Sequence, residues 1–354
     1  CIRDRISTVG QRDGMTIGAE AGPLVTVAVP LYKRLRFLPQ CLQSLAAQDY
    51  PAIELLVSDN GENGPELRDL VAEHYPRPFT YRRNDVSEPA MSRHFNQLVD
   101  CAKGEYFVLL CDDDKVESGF VSSLVEAMES DPEIGVAIPH VKLMDEGGEP
   151  LEDEDYAEVP YGRPDLKELP PPVMTGLDLV RGWVSGEYRF KTFITTMART
   201  SEIASGGGYP VMVTGDDDAI VLRLSLGRKA AFCEEAVFWN RAYVTSGGLE
   251  ISAWELAGDI KTWLDFLDSD PWLRRYASEH PDTWPEVRGL MRQKAWRTYR
   301  HRWKTMYRDR LSTVEWLRAG FALPFIPEYY GWLSRFLVRR GLSTTKRRLR
   351  GERA

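Results

Sequence analysis

The chain has 354 residues, 43% of them hydrophobic and 11% aromatic, with a net charge of -8. That length supports one large domain or two modest ones around a substantial core, and the aromatic content excludes a disordered chain. The acidic balance excludes a general nucleic-acid binder, so no nucleic-acid partner is expected. The charge is unevenly spread: residues 286–354 hold 18 Lys+Arg against 5 Asp+Glu, which leaves 27 against 48 in residues 1–285. An acidic body carries a basic tail.

The five cysteines, Cys1, Cys41, Cys101, Cys111 and Cys233, form no C-x-x-C pair. This argues against a disulfide framework or zinc ribbon and fits a reducing, cytoplasmic compartment. No apolar run reaches the roughly 18 residues of a spanning helix. The opening CIRDRISTVGQRDG is charged and lacks the apolar segment of a secretory signal. Its start at Cys rather than Met suggests truncation, and residues 1–22 are expected to be disordered or extraneous to the fold.

From residue 24 the pattern alternates. LVTVAV (24–29), stopped by Pro30, reads as a buried strand, and FLPQCLQSLAAQ (37–48) as an amphipathic helix. IELLVSD (53–59) is a strand, PELRDLVAEHY (65–75) a helix and FTYRRN (79–84) a strand. MSRHFNQLVDCA (91–102) is a helix, and EYFVLLCDDD (105–114) a strand ending in acids. FVSSLVEAME (120–129) is a helix and IGVAIPHVKLM (134–144) a strand. Residues 145–172 are acidic and rich in Gly and Pro, which marks a long loop of functional or linking character. FKTFITTMAR then reads as a strand, AIVLRLSLG as a helix and KAAFCEEAVFW (229–239) as a strand. From about residue 250 the texture is helical and holds eight of the ten tryptophans. Alternating strands and helices predict an α/β fold with a mostly parallel central sheet covered on both faces, plus a helical C-terminal extension.

Two acidic triplets carry the chemistry. Asp112, Asp113 and Asp114 follow an apolar strand, at the kind of sheet edge where ligands bind. Packed carboxylates repel unless a cation lies between them, and Mg²⁺ or Mn²⁺ on a substrate diphosphate is the natural fit. The competing reading is helix capping. That reading is stronger for Asp216, Asp217 and Asp218, which open a helix after SGGGYPVMVTG.

Four stretches in this order resemble family 2 glycosyltransferases of the GT-A fold: VTVAVPLYKRLRFLPQCLQSLAAQ, ELLVSDNGENG, FNQLVDCAKGEYFVLLCDDD and GGGYPVMVTGDDDAIVLRLSLGRKAAF. The resemblance spans roughly residues 24–245. It implies a catalytic domain over 23–248, with a nucleotide-binding part at 23–144 and an acceptor-side part at 173–248, followed by a Trp-rich basic region at 249–354. The implied reaction moves a sugar from a nucleotide-diphosphate donor to an acceptor hydroxyl on a glycan, glycolipid or small molecule, with inversion.

The implied roles follow residue by residue. Pro30, Leu31 and Tyr32 border the nucleotide base, with the Tyr32 ring beneath it, and Asp59 hydrogen-bonds base or ribose. Asn84 and Arg93 reach base or phosphate. Asp112 and Asp114 form D-x-D and hold Mn²⁺ or Mg²⁺. Asp113 also faces the nucleotide and replaces Asp112 if the register shifts by one, because the family's Asp–Ser–Asp–Asp reads Cys111–Asp112–Asp113–Asp114 here. Asp217 is the general base, with Asp216 beside it. Where relatives carry a His ligand, FWNRAYVTSGG offers Arg241 and Tyr243, and Arg241 is a positive group for the diphosphate.

Two rival readings are weighed against this. A sugar-nucleotide nucleotidyltransferase would need a Gly-rich phosphate loop, and VPLYKRLRF has no glycine. A non-catalytic nucleotide-sugar-binding protein would not need both triplets. The basic tail has three open readings: contact with the inner, anionic membrane face, packing on the acidic body within a subunit or across a homodimer, or a solvated helical face.

Overall fold

The computed structural model describes residues 5–9, 22–32, 35–61, 63–84, 90–152, 168–188, 193–212, 215–242 and 253–302. Most of the acidic loop, Tyr243 and the basic tail beyond residue 302 therefore lie outside the described residues, as does the start of the FKTFITTMAR segment.

In chain order the elements begin with β1 (Arg5–Val9), β2 (Val25–Leu31), α1 (Leu38–Ala46), β3 (Ile53–Asp59), α2 (Leu67–His74), β4 (Phe79–Arg83) and α3 (Met91–Cys101). They continue with β5 (Tyr106–Leu109), β6 (Lys115–Val116), α4 (Phe120–Ser130), β7 (Ile134–Met144), β8 (Val173–Thr175) and α5 (Gly176–Ser185). Then come β9 (Met197–Arg199), α6 (Thr200–Ser205), α7 (Asp216–Ser225), β10 (Lys229–Arg241), α8 (Ala253–Ser269), α9 (Pro271–Glu279) and α10 (Trp284–Arg302).

One ten-stranded sheet runs in the order β1-β4-β3-β2-β5-β9-β7-β10-β6, with β8 also paired to β10. The long ladders, β4-β3-β2-β5 and β7-β10, are parallel. Short β9 runs antiparallel to both β5 and β7 and so joins the two parallel halves. The remaining antiparallel partners, β1, β6 and β8, are short strands on β4 and β10. The expected α/β architecture is present, with a sheet that is parallel over most of its paired length.

Strand alternation builds two cores. Val25, Val27, Val29 and Leu31 pack with α1, α2 and α4 on one face. Ala28, Leu56, Phe107 and Leu109 pack with α3, α5, α6 and α7 on the other. A parallel strand covered on both faces needs such an unbroken apolar run.

Three differences from the sequence reading have physical reasons. Arg5–Val9, excluded from the expected fold, pairs residue for residue with Phe79–Arg83. The strand expected over EYFVLLCDDD ends at Leu109, because the acids form a turn before β6. Of FKTFITTMAR only Met197–Arg199 is strand, since Phe193–Thr196 forms a turn closed by Thr196 N–H on the Phe193 carbonyl at 3.0 Å.

Two compact units are distinguished. The first comprises residues 1–250 with 266–291, so part of the C-terminal region belongs to the body. The second comprises residues 251–265 with 292–354, and within it the Lys294 ammonium lies 5.3 Å from the Trp263 ring centre. No helix among the described residues is long and apolar enough to cross a membrane.

Candidate active site

The parallel strands bring their carboxyl ends to one edge, and the site is built there. Leu31 is in register with Asp59, and Asp59 with Arg83, so three strand ends lie side by side. The Leu31 side chain is in the core, Pro30 is half-buried, and Tyr32 emerges at the strand end with 46% of its surface exposed.

Asp59 is fully buried. Its Oδ1 accepts from the Gly61 N–H at 3.2 Å and the Asn63 amide at 3.0 Å. Its Oδ2 accepts from the Tyr81 hydroxyl at 3.4 Å and lies 3.3 Å from Arg83 Nε. Burial first, and then the Asp59 charge, push the Tyr81 phenol up to about 12. Asp59 is thus occupied in shaping the turn that follows it. Asn84 is buried beside it and donates its amide to Asn60 Oδ1 at 2.9 Å and Gln97 Oε1 at 3.0 Å. Arg93 is exposed on the first turn of α3. One residue on, His94 is buried against the Ser58 hydroxyl at 2.8 Å, and burial with the Arg82 charge holds it down at about 4. This neutral histidine behind β3 is not singled out by sequence, where it is one His in a helical run.

After β5 the chain turns through the first acidic triplet, closed by the Asp114 N–H on the Cys111 carbonyl at 3.2 Å. Asp114 is 2% exposed and accepts from the Arg241 backbone N–H at 2.8 Å and from the Asn240 amide at 3.2 Å. Burial and the Asp113 charge raise its carboxyl well above the usual range. Among the described residues, the group able to hold a cation is Cys111, Asp113 and Asp114, whose ligand atoms lie within 4.8 Å of one another. Asp112, the other residue expected to hold the cation, is adjacent in the same turn and is not part of that three-residue group. Burial and the three carboxylates also push the Cys111 thiol up. The carboxylate oxygens therefore suit a hard Mg²⁺ or Mn²⁺, and the protonated thiol adds little to such a site.

Arg241 does not serve as a free positive group. It is 3% exposed, and its Nε donates to the Asp113 carbonyl at 2.6 Å. Its Nη atoms donate to the carbonyl of Glu146 at 2.9 Å and to Gln40 Oε1 at 2.6 Å, and its guanidinium lies 4.3 Å from the Phe37 ring centre. It clamps the acidic turn from beneath.

The second triplet forms the first turn of α7, after Gly215 in the left-handed region at φ 79°. Asp216 Oδ1 accepts the Asp217 N–H at 3.1 Å, so part of the capping reading holds. Asp217 Oδ2 accepts the Phe193 N–H at 3.1 Å, and Phe193 is wedged edge-on against Trp183. Burial, and then the Asp217 charge, push Asp216 up to about 7. Tyr209 is buried before α7, and its phenol is pushed up by burial, then by Asp216 and Asp217, and also by Cys111.

The Tyr209 loop is held by a residue that the sequence showed only as a motif letter. Asn96 accepts the Tyr209 N–H at 2.6 Å and donates to its carbonyl at 2.9 Å. Reciprocal pairing of this kind is visible only once α3 and the loop are brought together, 113 residues apart.

The model of the family described as "Glycosyl transferase family 2" matches residues 26–175. Among curated relatives, the glycosyltransferase GlyG of Streptococcus pneumoniae is 27% identical over 30% of this chain and 35% of its own length. A GalNAc(5)-diNAcBac-PP-undecaprenol beta-1,3-glucosyltransferase of Campylobacter jejuni is 28% identical over 29% of this chain and 34% of its own. The chain thus spans about a third of the length of these relatives. Among solved structures, S. aureus TarS has a TM-score of 0.55 at 14% identity, covering 85% of this chain and 49% of that one. TarS 1–349 in complex with UDP-GlcNAc has a TM-score of 0.52 at 13% identity, covering 79% and 91%.

Proposed function

We propose that this chain, which carries a family 2 glycosyltransferase domain on a GT-A fold, moves a sugar from a nucleotide-diphosphate donor to an acceptor hydroxyl with inversion. The observation that carries the reading is the cation-competent turn Cys111–Asp113–Asp114, which follows β5 within the residues 26–175 that match the family model. The family match and the donor-bound TarS neighbour support a nucleotide-sugar donor in particular.

Each group has a task in this proposal. The exposed Tyr32 ring and Pro30 bear on the nucleotide base. Asp59 and Asn84 hold the floor of that subsite through the turn they organise. Arg93, exposed at the start of α3, is available to the donor. Asp113 and Asp114, with Asp112 adjacent, would hold Mn²⁺ or Mg²⁺, which when bound offsets charge on the diphosphate. Asp217 takes the acceptor hydroxyl proton as that oxygen attacks the anomeric carbon. Its anchorage to the Phe193 N–H fixes the carboxylate in place for that transfer. Asp216 sits beside it, with its proton affinity raised by the same burial. The basic tail is proposed to act on acceptor location, at the inner face of a membrane, or in assembly.

The test is incubation with labelled UDP-, GDP- and dTDP-sugars in the presence of Mn²⁺. Release or transfer of the sugar supports the transferase. Pyrophosphate exchange supports a nucleotidyltransferase instead, and binding without turnover a non-catalytic binding protein.

A further inference from the structure

Asp270 lies far beyond the residues that match the family and divides its two oxygens between separate tasks. Oδ1 accepts the N–H groups of Trp272 and Leu273 at 3.0 and 3.1 Å, which caps α9. Oδ2 accepts from Arg223 Nη2 at 2.6 Å and from Nε at 3.1 Å. The pair is buried, with Arg223 5% and Asp270 6% exposed.

Arg223 is on α7, seven residues after Asp216 and thus on the same helix face. Its third nitrogen, Nη1, donates to the Gly208 carbonyl at 2.6 Å. Gly208 has φ 74°, and a Cβ there would meet Asn96 Oδ1 at 2.2 Å. One guanidinium therefore ties α7, the loop ahead of it and the start of α9 together. Residues 266–291 accordingly cluster with the body rather than with the rest of the C-terminal region.

We infer that Asp270 is a positioning residue for the acceptor side of the site, acting through Arg223 to hold α7 and the Gly207–Tyr209 loop in the geometry that aims Asp217. The inference rests on the transferase reading given above. A buried carboxylate on a buried guanidinium is a rigid strut, and general-base catalysis is sensitive to small displacements of the base. The donor side is held by other contacts, on β3, β4 and β10.

Asp270→Asn and Asp270→Ser separate the two tasks, because Asn and Ser still cap a helix while the charge facing Arg223 is lost. With a nucleotide sugar and Mn²⁺, kcat should fall at least about tenfold while donor KM and UDP, GDP or dTDP affinity stay within about twofold. Hydrogen exchange should quicken over residues 207–218 and not in the central sheet. If the unpaired guanidinium prevents folding, Arg223→Met with Asp270→Asn removes the buried charge and should show the same split.

Unchanged kcat would overturn the inference. So would a parallel loss of turnover and nucleotide affinity with loosening throughout the sheet, which marks a merely structural role. If the wild-type protein turns over no nucleotide sugar, the transferase reading fails. Exchange then judges the strut alone: loosening confined to 207–218 supports it and an unchanged pattern overturns it.

Discussion

Arg241 donates its backbone N–H to the Asp114 carboxylate at 2.8 Å while its guanidinium grips the Asp113 carbonyl at 2.6 Å. One residue at the end of β10 therefore holds two of the three acidic residues of the turn. Replacing it leaves the carbonyls of Asp113 and Glu146 without their donor. Arg241→Met should lower unfolding stability by about 2–4 kcal/mol and weaken Mn²⁺ binding. Urea denaturation and calorimetry with Mn²⁺ check this. An unchanged urea midpoint would remove the clamp from the account.

The cation site makes a second prediction, one that distinguishes neighbours in sequence. Asp113→Asn and Asp114→Asn should each weaken Mn²⁺ binding by at least about tenfold, and Asp112→Asn by less. The ordering follows from which side chains converge with Cys111. Titration of each variant with Mn²⁺ in the presence of UDP gives the answer. A largest loss in Asp112→Asn would instead support the D-x-D pair Asp112 and Asp114 read from sequence.

Much of the fold was legible in the sequence because it is written in local runs. β2, β3 and β7 are short apolar runs bounded by turns or charged residues, and the structure starts or ends them within a residue of where those runs change. The edges of the site were legible too, since Tyr32, Asp59 and the triplets all follow strands or open a helix. What was not legible is how the site is braced. Arg241 looked like a free cation because nothing near it in sequence satisfies a guanidinium. Its partners, Gln40 and the Asp113 and Glu146 carbonyls, come from three other segments. Asp270 was not singled out, because its bond to Arg223 spans 47 residues. β1 was missed because RISTV has no apolar run to mark it, and only β4 gives it a ladder.

Gly208 offers a test of the loop before α7. Its backbone is left-handed, and the Asn96 amide fills the space a Cβ would need. Gly207 is also left-handed, at φ 85°, but nothing lies within 4 Å of its Cβ position. Gly207→Ala should cost about 1 kcal/mol from backbone strain alone, and Gly208→Ala at least about twice that, because the Asn96–Tyr209 bonds must also yield. Thermal unfolding of the two variants compares them directly. Equal losses would show that the Asn96 lock contributes nothing.

Asp216 predicts a pH dependence with a definite sign. Its carboxyl stands at about 7 in the fold against an ordinary value of 3.8. The folded state thus favours the protonated form. The associated stability is complete below about pH 4 and is lost as pH rises through about 7. Asp216→Asn removes this group's titration, so the variant should gain on wild type by up to about 4 kcal/mol between pH 4 and pH 8. Urea midpoints across that range, in chelator to remove divalent cations, measure the difference. A constant gap between the two proteins contradicts a raised Asp216.

In the proposed reaction Asp217 is the base of the sugar transfer. The most direct measurement is nucleoside diphosphate release from the nucleotide sugar that wild type uses, with Mn²⁺, by wild type and Asp217→Asn, alongside nucleoside diphosphate affinity for both. Asn can still accept the Phe193 N–H but cannot take a proton at neutral pH. Turnover should fall by about 10²–10⁴-fold while affinity changes little. Turnover near the wild-type rate, with affinity intact, would contradict it.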